Sequence, residues 1–208
     1  MKIGTKGFIW RTLLVVAGLV ATLSIASLAF KITPELQKEV LEKQKAVASC
    51  PASAEARFDL AITYAYSNYV KEGWDELRKV PDLDKNFPAY ALKKYGELAA
   101  SNPQDWKIAY RHAFALYFNG KKMDAYNEFG RVLKLEPGNA LAYGYRSLIL
   151  GEMGKVNDAI VEVKKGLAID QQIAALHLLL ADGYLKTGKS WEGFWEGVEA
   201  SRLKSLGF

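Results

Sequence analysis

From Thr12 to Phe30 the chain carries no charged residue, and Phe8, Ile9 and Trp10 extend the apolar stretch past Arg11. A helix of this run rises about 28 Å, close to the hydrocarbon thickness of a bilayer, and a helix bonds every backbone amide within one segment. The pattern predicts a transmembrane helix, with residues 1–30 as a membrane anchor. A cleaved signal peptide is the competing reading, with Ser27-Leu28-Ala29 as its small-residue site, although the run is long for one. The short tail carries Lys2, Lys6 and Arg11 and no acid. Such a tail is expected to stay in the cytoplasm, placing the folded part outside it, in the periplasm or at the cell surface if the source is bacterial. After the run, residues 31–52 read as a helical stalk. Thr33 caps it, Pro34 suits its first position, and Glu35, Glu39 and Lys43 follow at spacing four. Leu36, Val40 and Val47 give it only a thin apolar stripe, and Cys50-Pro51 ends it.

Past residue 53 the apolar positions recur at helical spacing in paired segments, and the pairs themselves repeat every 34 residues. Gly120, Gly154 and Gly188 share one position of the period; Ala125, Ala159 and Gly193 fall five residues later. Ala113, Ser147 and Ala181 align, as do Leu116, Leu150 and Tyr184. The glycines suit the turn that ends a first helix, where a positive φ is needed, and the small residues suit close crossing of two helices. Pro103 and Pro137 mark breaks between blocks.

These residues resemble the tetratricopeptide repeat family. The match is best in Trp106–Asn139, with Ala113, Leu116, Gly120, Ala125, Phe129 and the closing Leu135-Glu136-Pro137. In the next block Gln171 replaces the closing proline. The expected fold class is all-α: the N-terminal transmembrane helix, then a right-handed helical-hairpin solenoid of about four repeats. These span about 54–105, 106–139, 140–173 and 174–207, within a domain of 53–208. The first repeat is divergent. Leu60, Ala61 and Tyr64 match its first helix and Ala91, Tyr95 and Leu98 its second, with an 18-residue excess placed as a surface insert over 69–90.

The resemblance implies a concave face lined by first helices, and on it Phe58, Ile62, Tyr66, Tyr110, Phe114, Tyr117, Phe118 and Leu148 as a partner-binding groove for a peptide or helix of another protein. The competing reading is that such rings fill the space between helices. Trp74 in the insert and Trp191 and Trp195 in the last helix are candidates for a second contact. The last helix also carries Phe194 and Val198; these rings either fold back onto the fourth repeat or dock a partner or a second copy.

Composition narrows the function. The net charge of +5 falls to +2 once the N-terminal tail is set aside, with 25 basic against 23 acidic residues over the rest, so no basic stripe marks a nucleic-acid surface. The single cysteine, Cys50, permits no internal disulfide and no cysteine metal cluster. No phosphate-cradling loop, zinc-binding His pair or nucleophile elbow is present, and His112 and His177 fall in first helices of different repeats. The expectation is therefore no enzyme, no catalytic residue, no metal and no cofactor. The function expected is a membrane-tethered scaffold or assembly factor for other proteins. The alternatives are a self-assembling structural protein, with a possible homo-oligomer, and an accessory subunit of a larger membrane complex.

Overall fold

The computed structural model describes residues 33–207, all of whose regular structure is helical. The expected membrane span at 12–30 lies outside the described residues. Among the described residues no helix is long and apolar enough to cross a membrane. The chain forms α1 (Pro34–Ser49), α2 (Ala54–Tyr66), α3 (Val70–Leu77), α4 (Val80–Leu83), α5 (Phe87–Ser101), α6 (Trp106–Phe118), α7 (Lys122–Leu135), α8 (Ala140–Glu152), α9 (Val156–Ile169), α10 (Ala174–Lys186) and α11 (Ser190–Ser205).

Local chemistry sets the ends of these helices. Thr33, Ser53, Asp105 and Asn139 cap α1, α2, α6 and α8 with side-chain oxygens that accept from backbone amides of the first turn. The second helices α7, α9 and α11 have no side-chain cap and are entered directly from the turn glycines Gly120, Gly154 and Gly188, at φ of 70°, 76° and 78°. Each turn closes on the same backbone bond, such as Lys121 N donating to Leu116 O and Lys155 N donating to Leu150 O. From α5 onward the helices alternate in direction and pack in sequence, with α6, α8 and α10 in one layer and α5, α7, α9 and α11 in the other. Within the first layer the helices run parallel, with Tyr110 against Tyr145 and Tyr117 bonded to Glu152.

The N-terminal part departs from the expected register. Asn68 sits at φ 62°, and Tyr69 N donates to Tyr64 O, the same turn made here by asparagine. Gly73 follows five residues later, where a Cβ would come 2.9 Å from Ala61 O; at Gly193 the corresponding distance to Ala181 O is 3.1 Å. The hairpin of the first repeat is therefore α2–α3, with Gly73, Leu77 and Val80 buried, and residues 69–90 are not a surface insert. The extra residues form α5, which packs on α6 as a second helix would. This additional helix reverses α2 relative to the stack. Phe58 at the start of α2 lies against Phe118 at the end of α6, at 6.4 Å, and Tyr66 at its end lies against Trp106 at 5.2 Å.

The stalk expectation is also corrected. Its helix forms where expected, but α1 lies along α2. Val40 is buried, Lys43 pairs with Asp59 at 3.0 Å, and Gln44 donates to the Tyr64 hydroxyl at 2.7 Å.

Candidate partner-binding surfaces

The aromatic groove expected on the first helices is filled by the chain itself. Phe58, Ile62, Tyr66, Tyr110 and Phe114 are each at most 2% exposed. The reversed α2–α3 hairpin lies over α6 and α8. Trp74 of α3 stands 6.4 Å, centroid to centroid, from Phe114, Tyr117 and Phe118 and lines one contact with Tyr145, Leu148 and Ile149. Tyr117 and Leu148 are half-buried against this core, and Phe118 alone of the eight reaches substantial exposure, at 38%. The space-filling reading of these rings is the correct one.

Beneath the hairpin a polar cluster joins four helices. Arg111, 8% exposed, donates to Asp59 Oδ1 at 3.2 Å, to Thr63 Oγ1 at 3.3 Å, to the Tyr66 hydroxyl at 3.2 Å and to Glu39 Oε1 at 3.4 Å. The Tyr95 hydroxyl donates to Asp59 at 2.6 Å, and Tyr66 and Lys107 both reach Glu39. Burial pushes the Asp59 carboxyl up, but Arg111, the Tyr95 hydroxyl and Lys43 outweigh it and hold it below the ordinary carboxylate value. Glu39 behaves likewise, burial being overcome by Lys107 and the Tyr66 hydroxyl. This cluster was not visible in the sequence. Its members come from α1, α2, α5 and α6, and no spacing along the chain connects them. Its donors and acceptors are spent on one another, so its chemistry is to fasten helices. The two histidines make helix-to-helix contacts: His112 Nδ1 lies 3.2 Å from Glu128, and His177 Nδ1 2.6 Å from Glu196.

Two surfaces stand out among the described residues. The first is where the hairpin stops short of the end of the array. An open cleft of about 580 Å³ lies between the α2–α3 turn (Ser67, Asn68, Tyr69) and α10 (Ala174, Ala175, Leu178), with Lys71 and Lys204 at its edge. Leu178, 42% exposed, lines this cleft, whereas Leu185, 56% exposed, lies against Gly193 of α11. The second is α11, where Trp191, Phe194, Trp195 and Val198 are 68%, 55%, 52% and 42% exposed. The three rings do not fold back onto the fourth repeat; they pack on one another at 5.3–5.9 Å.

The architecture is an all-α helical-repeat solenoid like that of tetratricopeptide-repeat proteins. Solved structures similar to it include the MamA protein, at 17% identity over 82% of this chain and 84% of that one, with a TM-score of 0.54. Another is TTC0263, a thermophilic TPR protein of Thermus thermophilus, at 19% identity over 81% of this chain and 82% of that one, also with a TM-score of 0.54. At these identities the likeness is one of fold. No protein-family model matches the chain, and no curated protein matches it in sequence.

Proposed function

We propose that the protein is a scaffold that holds another protein on the inner face of its last repeats, while residues 8–30 tether it to a membrane with the folded part outside the cytoplasm. The observation that carries the binding surface is the cleft at α10, where the exposed Leu178, with Ala174 and Ala175, faces a wall made by the α2–α3 turn. An apolar floor of Ala174, Ala175 and Leu178 with Lys71, Glu72 and Lys204 around it suits an extended or helical segment with apolar side chains on one edge. The aromatic residues expected in the groove are, Phe118 apart, core or half-buried, and the surface proposed for the partner is aliphatic.

Crosslinking and capture of the full chain from native membranes tests this reading. Leu178→Glu should lose the partner that wild type retains, with an unchanged thermal midpoint; recovery of the same partner by Leu178→Glu would sink the assignment. The tether is checked on the same membranes. The chain should resist alkaline extraction and need detergent, and release into the alkaline wash would remove it.

A further inference from the structure

We infer that the protein forms a two-fold dimer through α11, in which a second copy of α11 packs antiparallel on the exposed aromatic stripe and takes the place that a further first helix would occupy in the stack.

The repeat register identifies the socket. Phe194 lies one period after Ile160 and two after Tyr126. At both earlier positions the side chain is covered by the next first helix. The Arg146 guanidinium of α8 stands 4.1 Å from the Tyr126 ring centre, and Ile160 packs so closely on α10 that a Cβ at Gly183 would fall 2.7 Å from it. Val198 follows Lys164 by one period, and the Lys164 ammonium stands over Tyr184 of α10 at 5.3 Å. On α11 the same two positions hold Phe194 and Val198, with no helix upon them among the described residues, and Trp191 and Trp195 widen the patch. The occupant that continues this stack is a helix antiparallel to α11.

A second α11 meets that need from both sides. Trp191, Phe194, Trp195, Val198 and Arg202 recur every three or four residues, a stripe of the kind that packs helix on helix. The stripe is bulky at its start and small toward its end, where Ser201 and Ser205 follow Val198. An antiparallel pair sets the large half of each helix against the small half of the other. Charge is arranged in the same sense. The first turn carries Glu192, which has no ion pair among the described residues, and the last turn carries Arg202, whose guanidinium is paired with Glu199 of its own helix and is 54% exposed. Antiparallel pairing about a two-fold axis brings like flanks together, so Glu192 of each copy faces Arg202 of the other, and the contact is made twice.

The test is the mass of the full chain in detergent by sedimentation, with circular dichroism as the check on folding. Wild type should be a dimer, and Phe194→Glu/Trp195→Glu should weaken association by about 100-fold, the scale of losing two aromatic anchors from an interface, with unchanged helicity. Glu192→Arg and Arg202→Glu should each weaken the dimer, and the double variant should restore it, a result that association through the N-terminal apolar run cannot give. A monomeric wild type overturns the proposal. So does a dimer that survives Phe194→Glu/Trp195→Glu, or a charge exchange that fails to restore association.

Discussion

Tyr110 shows how a single group separates packing from binding. Its ring is enclosed by Tyr66, Phe114, Phe129 and Tyr145 at 5.1–5.8 Å, and its hydroxyl has no hydrogen-bond partner among the described residues. Burial drives that hydroxyl well above its ordinary pKa, which keeps it neutral. A buried donor without a partner is a net cost, so Tyr110→Phe should leave stability unchanged or raise it by about 1 kcal/mol. Tyr110→Ala removes the ring and should cost about 3–5 kcal/mol. Urea unfolding of the two variants, read at equal m-value, checks both expectations. A loss of partner in Tyr110→Ala would accordingly report on folding and not on recognition. The glycines divide in the same way. Gly73→Ala drives a Cβ to 2.9 Å from the Ala61 carbonyl, which is backbone and cannot turn aside, and should destabilise by about 1–3 kcal/mol. Gly130, in the interior of α7, has nothing within 4 Å of its added Cβ, so Gly130→Ala should stabilise by about 1 kcal/mol.

Helix α1 buries Val40, packs Leu36 partly on the core and is also held by charged and hydrogen-bonded contacts through Glu39, Lys43 and Gln44, so part of its attachment depends on ionisation. Asp59 and Glu39 have folded-state pKa values below their ordinary 3.8 and 4.5. Their stabilising contribution is fully present above those ordinary values and is lost as the pH falls through the depressed ones. Acidification below pH 4.5 should therefore release α1 and weaken the α2–α6 contact, read as rising amide exchange in α1 before α9–α11 respond. Asp59→Asn leaves Arg111 short of a carboxylate in a buried setting and should cost about 3 kcal/mol at neutral pH. It should also flatten the acid dependence. The sequence announces α1 through Thr33 and Pro34 and announces α6 to α11 through their turn glycines, because caps and turns are local chemistry. It is silent on the docking of α1, which rests on pairs 16 to 72 residues apart in sequence. It misplaces α3 because the turn there uses Asn68, and the 34-residue period is interrupted before Gly120.

At the scale of the molecule, the extra helix α5 changes what a repeat array ordinarily is. Hairpins that touch only their neighbours unfold as a sum of local terms and can fray from either end. Here the reversed α2–α3 hairpin crosses the first layer. Trp74 touches residues of α6 and α8, and the α2–α3 turn walls the cleft at α10, so the first hairpin is joined to later repeats rather than to one. The α2–α3 wall of the candidate binding surface is a product of that crossing, which spacing along single first helices does not show, although the same spacing does place Leu178 on the inner face. Trp74 is the side chain that fastens the crossing. Trp74→Ala should cost about 3–5 kcal/mol, and the loss should be distributed unevenly. Exchange protection in α2, α3 and the facing half of α6 should fall, while α9, α10 and α11, which lie beyond the reach of Trp74, keep theirs. The α2–α3 wall of the cleft would loosen, so partner capture should decline in the same variant although Leu178 is untouched. Hydrogen exchange followed by fragment mass analysis reads both halves at once. A uniform loss across all helices would mean that the array unfolds as one unit and that the hairpin has no separate hold on the inner face.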